Sequence, residues 1–307
     1  MGGVLIGFGI ISVIIAVGYL VARLGVLGDG AREVLSRTAF FVASPALLFT
    51  IIAEADLQAL FSNFLGIALI SAVSSMILFA LVARFAFRRS LADTIVGSAS
   101  SGYSNANNIG LPVATYVLGD PQYVVPVILL QLVLLAPLIL GTLDVAVRGH
   151  VSARTILTQP LRNPIIIASV LGVIVAATGI AIPAAVMRPF ELIGGAAIPL
   201  MLLAFGMSLR GQRPLKAGTA RKDVAVASAI KLGVMPIVAW LVARFAFGLE
   251  GQDLYIAVVL AALPTAQNVY NFAVRYRSGT IVARDTILVT TVLAIPVLLV
   301  VALLLGP

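Results

Sequence analysis

Asn105, Asn107 and Asn108 fall within four residues, and Gln267, Asn268 and Asn271 within five, each set inside an otherwise apolar stretch. An amide neither shuttles protons nor attacks carbon; it donates and accepts hydrogen bonds at fixed points. Left unsatisfied in apolar surroundings, each costs on the order of several kcal/mol, so six of them call for partners. Pro112 and Pro264 each delete a backbone donor beside these clusters, and Gly102 and Gly110 relax the chain nearby. Both stretches therefore read as interrupted helices. Where an interrupted helix resumes, free backbone N–H groups and the positive dipole end face the break. Two such ends converging would hold an anion without a formal cation, with the amides completing its coordination. The plainer reading is that Pro and Gly kink two helices whose amides bond to neighbours. Two matched breaks, each carrying an amide cluster, favour the anion site.

The elements that must position these residues are membrane spans. Of 307 residues, 61% are hydrophobic and 10% charged, and mean hydropathy is +1.13. A soluble domain carries about 25% charged residues, so the excess apolar surface requires lipid as a solvent. The formal charge of +8 sits in short clusters between apolar runs, which argues against nucleic acid as a partner. Cysteine is absent and His150 is the single histidine, so thiolate and His-pair metal sites are excluded and no cofactor is expected. The first residues show neither a basic stretch nor an Ala-x-Ala cleavage site, and read as the start of a first span.

A helix crossing a hydrocarbon core of roughly 30 Å needs about 20 apolar residues. Ten segments qualify: 3–22, 35–53, 62–83, 91–117, 122–146, 164–182, 187–208, 224–246, 253–274 and 282–304. With both termini on the non-cytoplasmic side, seventeen of the twenty basic residues fall in cytoplasmic loops, among them Arg32, Arg37, Arg89, Arg148, Arg154, Arg213, Lys216 and Arg284. Arg188 and Arg244 lie opposite, and Lys231 lies within a span. The outer side collects Glu54, Asp56, Asp120, Glu250 and Asp253. That segregation follows the positive-inside rule and supports the count.

The halves are related. Leu81-Val-Ala-Arg-Phe-Ala-Phe87 recurs as Leu241-Val-Ala-Arg-Phe-Ala-Phe247, an offset of 160. The same register pairs Asp93 with Asp253, Ala106 with Ala266, Asn108 with Asn268, Tyr116 with Tyr276 and Gly119 with Gly279. Five helices per copy is an odd number, so the second copy enters the membrane from the other side. The fold class is thus all-α and integral to the membrane: ten helices as two inverted repeats, 1–150 and 151–307. Inverted repeats with substrate bound between the copies typify secondary transporters.

Four motifs make the chain recognisable: Ser44-Pro-Ala-Leu-Leu-Phe49, Asn105-Ala-Asn-Asn-Ile-Gly-Leu-Pro112, Ile198-Pro-Leu-Met-Leu-Leu-Ala-Phe-Gly206, and Ala262-Leu-Pro-Thr-Ala-Gln-Asn268 with Ala273-Val-Arg-Tyr276. On these the chain resembles the auxin efflux carrier family, which includes plant PIN proteins and bacterial malate or malonate carriers. The resemblance covers nearly the whole chain. It implies that spans four and nine cross, that spans 1, 2, 6 and 7 form a scaffold, and that spans 3–5 and 8–10 form a transport domain. It also implies elevator-type movement of a small organic anion and a homodimer in the cell (inner) membrane. By carry-over, Asn105, Asn108 and Asn268 lie at the crossover, with Pro112 and Pro264 making the breaks. The Pro-Asn-Thr stretch of plant members is Ser104-Asn105-Ala106 here, and their long cytoplasmic loop is a short one near 147–163. The additional Asn107, Asn108, Gln267 and Asn268 point to a polar pocket suited to a small dicarboxylate.

Other residues carry open alternatives. Lys231 either stands in for a coupling cation, sodium or proton, or snorkels toward the cluster at 221–222. Asp144 reads as a partner for Arg148 at helical spacing. Gln131 either lines the site or bonds a neighbouring helix, Glu54 and Asp56 read as solvated, and His150 as a loop residue. A sodium-coupled symporter of the bile-acid type would want acidic residues within the broken spans; none lies between Asp93 and Asp120 or between Asp253 and Asp285. An intramembrane enzyme, suggested faintly by Gly206-Met-Ser208, lacks a histidine base in any span.

Overall fold

The computed structural model describes residues 2–28, 30–55, 63–150, 162–211 and 220–306. Asp56, Arg154, Arg213 and Lys216 lie outside the described residues. All ten expected segments are helical, eight as one element and two as broken pairs. The helices are α1 (Gly2–Leu24), α2 (Ala31–Ala53), α3 (Asn63–Ala86), α4 (Leu91–Gly102), α5 (106–118), α6 (Pro121–Arg148), α7 (Pro164–Thr178), α8 (Ala184–Ser208), α9 (Arg221–Ala246), α10 (Gly251–Ala261), α11 (Gln267–Tyr276) and α12 (Thr280–Leu305). Among the described residues, α1, α2, α3, α6, α8, α9 and α12 are long and apolar enough to cross a membrane, and α7 and α10 are shorter apolar helices.

Local structure repeats at the offset read from the sequence. The helix widens at Val82–Ala86 and again at Val242–Ala246, where Phe87 N–H donates to the Val82 carbonyl and Phe247 N–H to the Val242 carbonyl, both at 3.1 Å. Gly119 and Gly279 both take left-handed backbone, φ +88° and +60°, which glycine adopts at little cost.

Packing sorts the helices into two groups. In one, α1 lies along α8, and α2 packs on α7 and α8. Small residues let these backbones touch: a Cβ on Gly18 would meet the Leu203 carbonyl oxygen, and one on Gly206 the Ile15 carbonyl oxygen. Close approach of this kind is how helices associate where lipid removes the hydrophobic drive. In the other group, α3 packs on α4, α9 and α10, while α12 packs on α4, α9, α10 and α11. The main contact between the groups is α1 on α5, where Gly7 fits against the Tyr116 carbonyl.

Polar ties hold the second group together at the ends that carry the basic loops. Arg89 grips Asp223 through Nε at 2.9 Å and Nη2 at 2.6 Å. The carboxylate raises the Arg89 guanidinium above its ordinary pKa. Asp93, in the first turn of α4, accepts from Ser90 Oγ at 2.7 Å and from Ser278 Oγ at 2.7 Å. Asp144 pairs with Arg148 at 3.3 Å, as its spacing suggested, and also accepts from Tyr276 Oη at 2.9 Å. These ties join the turn before α4 to α9, α4 to the turn after α11, and α6 to α11. Because Asp223 is buried while Arg89 is half exposed, Asp223→Asn should cost about 1–3 kcal/mol, below the range for a fully buried pair. A melting temperature lowered by several degrees in detergent would register that loss.

Candidate functional site

Span four breaks at Tyr103, Ser104 and Asn105, and span nine breaks at 262–266. The two breaks cross. Asn105 N–H donates to the Pro264 carbonyl at 2.7 Å, and Ala266 N–H donates to the Tyr103 carbonyl at 3.0 Å, so Ser104 and Thr265 face each other as an isolated antiparallel bridge. Each interrupted segment thereby satisfies backbone groups that the other leaves over, which backbone so deep in the protein requires. Thr265 adds two ties. Its hydroxyl donates to the Ser100 carbonyl at 2.6 Å, and its N–H donates to Thr290 Oγ1 at 3.1 Å.

The prolines divide in their roles. Pro264 sits at its break and supplies the carbonyl that pairs with Asn105. Pro112 and Gly110, expected at the other break, lie inside α5, whose backbone is right-handed helical there. The break falls earlier because pairing with residues 264–266 fixes the chain at 103–105. Pro112 follows the wide turn Ala106–Gly110, so the missing N–H is absorbed by a change of helical pitch and not by a break.

Two helices start at the crossover. Asn105 caps α5, its Oδ1 accepting from Asn108 N–H at 3.2 Å. α11 begins after Ala266 with no side-chain cap, so the first N–H groups of Gln267 and Asn268 keep their donors. All six amides line one cavity of about 810 Å³. Asn107 Nδ2 donates to Asn108 Oδ1 at 3.1 Å and to Met201 Sδ at 3.4 Å, while its own Oδ1 is buried without a partner. Gln131, buried on α6, lines the cavity too.

Several lining residues carried no signal in the sequence. Phe40, Ile165, Phe205 and Phe272 give the cavity an apolar wall, and Arg32 and Arg37 line it too. Arg37 pairs with Glu33 at 3.7 Å, both well exposed. The spacing Arg32-Glu33-Arg37 was legible only as part of a basic loop; nothing in it announced a cavity on another element.

Lys231 does not line this cavity. It is fully buried on a widened turn of α9, Ile230–Val234, and its Nζ donates to the Ala261 carbonyl at 2.9 Å and to Met235 Sδ at 3.2 Å. Snorkelling is thus ruled out. The ammonium instead meets the C-terminal carbonyl end of α10, where the helix dipole favours a cation.

Residues 8–149 and 146–302 both match one family, described as membrane transport protein. The chain belongs to that family, the auxin efflux carriers. A "Putative malonate transporter" of Rhizobium meliloti is 27% identical over 292 residues, 92% of this chain and 89% of that protein. An "Uncharacterized transporter" of Methanothermobacter thermautotrophicus is 26% identical over 83% of each chain. "Probable auxin efflux carrier component 1b" of Oryza sativa is 30% identical over 151 residues, 48% of this chain and 27% of that one. As a family member the chain is a multi-pass membrane transporter, with the bilayer and a small-molecule substrate as its partners.

Chemically, the carrier's cavity presents six amides, Arg32, Arg37 and Glu33 beside its apolar wall. Ser208, the one serine of the Gly206-Met-Ser208 stretch, turns its hydroxyl to the Phe205 carbonyl of its own helix at 2.6 Å. What the arrangement offers for binding is two helix starts, six amides and an apolar wall.

Proposed function

We propose that the protein is a secondary transporter of a small organic anion, a carboxylate of malonate or malate type, moved by elevator-type alternating access. The observation that carries this reading is the convergence of six amides and an uncapped helix start on a single cavity. In this reading Asn105, Asn107, Asn108, Gln267, Asn268 and Asn271 bind the carboxylate, and Arg32 and Arg37 attract it toward the cavity. The relative named for malonate supports a dicarboxylate. The apolar wall supports a carbon skeleton bound beside the charge.

The moving part is α3–α6 with α9–α12, whose loop-side ion pairs make it a unit; the scaffold is α1, α2, α7 and α8. The two repeats, 1–150 and 151–307, run in opposite senses through ten crossings of the inner membrane, with both termini outside and dimerisation through the scaffold. In that orientation Arg32 and Arg37 are cytoplasmic, and the cavity faces the cytoplasm. Purified protein tested against mono- and dicarboxylates by thermal shift should be stabilised by its substrate class, malonate first. Stabilisation by no carboxylate would sink the reading.

A sodium-coupled symporter is the competing mechanism. The Lys231 ammonium against the Ala261 carbonyl supplies positive charge at a helix end where a coupling ion would otherwise serve. Uptake of radiolabelled malonate into liposomes should therefore be unchanged when external sodium is replaced by choline. Uptake that collapses in choline would reinstate sodium coupling.

A further inference from the structure

Beside Ser104 of the crossover lies a second cavity of about 20 Å³, lined by none of the six amides. Its walls come from α3, α6, α9, α10 and the break itself, and most are apolar: Ile67, Val127, Leu130, Ala257 and Leu260 among them. Four features set it apart from a packing defect. Ser104 lines it, is buried, and has a hydroxyl with no hydrogen-bond partner. Gln131 lines it as well, and both Ser104 and Gln131 also line the large cavity. Ala261 and Met235, the two acceptors of Lys231, form part of its wall. A cavity of this size has room for one water, which needs roughly 10–15 Å³ and two to four polar partners.

Lys231 is unusually placed for a cation. Its ammonium has three protons and two acceptors, one of them a thioether, which accepts weakly. Charged and titratable groups stand on every helix packed around it: Arg84 on α3, Asp93 on α4, Asp253 and Tyr255 on α10, and Arg284 and Asp285 on α12, with Arg221, Lys222, Asp223 and Arg244 on α9 itself. None of them bonds Lys231: Asp93 is held by Ser90 and Ser278, Asp223 by Arg89 and Asp285 by Arg284. A buried charge without a counter-charge is costly to keep, and buried ionisable groups inside membranes commonly serve ion or proton pathways.

We infer that the inner cavity holds a water molecule that, with the Ser104 hydroxyl, carries a proton between Lys231 and the amide-lined cavity, making Lys231 the coupling group of the transporter. In the outward step one N–H bond of the ammonium breaks and its electron pair stays on Nζ. The proton passes to the water, a proton of that water passes to Ser104 Oγ, and the original hydroxyl proton leaves on the large-cavity side. The neutral amine keeps two N–H donors, enough to retain the Ala261 carbonyl. The reverse sequence reloads it. The coupling role rests on the anion-transport reading above; the route itself does not, which allows the two to fail separately.

The chain has three lysines, Lys216, Lys222 and Lys231, so the full-length protein labelled with carbon-13 at lysine Cε gives few signals by NMR. The signal lost in Lys231→Arg identifies the buried one. It should move with bulk pH in the parent protein and cease to move in Ala257→Val, which fills the inner cavity without altering Lys231 or the amides. A Lys231 signal that ignores bulk pH, or that titrates unchanged in Ala257→Val, overturns the route. Coupling is read in liposomes carrying an internal pH dye, with malonate as the probe. Malonate entry should move protons in the parent and not in Lys231→Met, while malonate still raises the melting temperature of that variant. If Lys231→Met fails to fold, Ala257→Val decides, and is expected to lose the dye response. A dye response surviving in either variant, or malonate uptake by the parent with no proton movement, overturns the coupling. Malonate that neither binds nor enters the parent contradicts the choice of anion, and the NMR titration then still decides the route.

Discussion

Asn105→Ala and Asn268→Ala are each expected to weaken carboxylate binding about tenfold to a hundredfold, because a hydrogen bond to a charged group contributes about 1.5–3 kcal/mol. The double variant should show no thermal shift with malonate and no uptake. Asn105 has two tasks that must be separated. Its Oδ1 caps α5 through Asn108 N–H, and its backbone N–H holds the Pro264 carbonyl. Alanine removes the cap, worth about 1 kcal/mol, so part of its effect would be structural. Asn105→Asp isolates the rest: aspartate caps as well as asparagine, yet it sets a negative charge against the anion. Its melting temperature should stay near that of the parent while malonate binding disappears. Normal binding by Asn105→Asp would move the carboxylate away from α5.

The second large effect concerns the approach that makes the crossover fit. Gly102 closes α4 just before the break, and a Cβ there would lie 2.6 Å from the Ala72 carbonyl oxygen and 2.6 Å from Met76 Cγ. The thioether can shift; the backbone oxygen of α3 cannot without moving a helix. Gly102→Val should therefore destabilise by about 3 kcal/mol or more, at the upper end of overpacking costs, and appear as aggregated or poorly expressed protein. Gly9→Ala serves as its control, since a Cβ at Gly9 meets nothing within 4 Å. Alanine in a helix interior is favoured over glycine by about 1 kcal/mol, so that variant should be neutral or slightly stabilised. Equal losses in both variants would mean that crowding against α3 is not the cause.

How far the sequence alone reached depends on whether one element or several decided the outcome. Seven spans were legible because each is a long apolar run, and the matching stretches Leu81–Phe87 and Leu241–Phe247 fold into the same widened turn. The amide clusters were legible because Asn and Gln are conspicuous among leucines. The breaks were placed correctly at Pro264 and too late at Pro112. Proline weakens a helix locally, but here the strand-like pairing of Ser104 with Thr265 decides where helix gives way, and no local window contains both partners. Asp144 found Arg148 because the pair lies on one helix; its second partner, Tyr276, comes from α11 and was invisible. Lys231 was ambiguous for the same reason. A four-carbon stem reaches either a loop or a neighbouring carbonyl, and only the position of α10 chooses. Arg32, Phe40, Ile165, Met201 and Phe205 joined the site through packing, each from an element with no amide of its own in either cluster.

The binding claim comes down to where a carboxylate rests. A diffraction or electron-microscopy map of the protein with a bromine-bearing form of the stabilising acid, bromomalonate first, would locate it. The bound acid is expected beside the Gln267 and Asn268 N–H groups at the start of α11, with Asn105 across from it. An acid found at Arg32 and Arg37 alone, or on the outer face of the helices, would contradict the account.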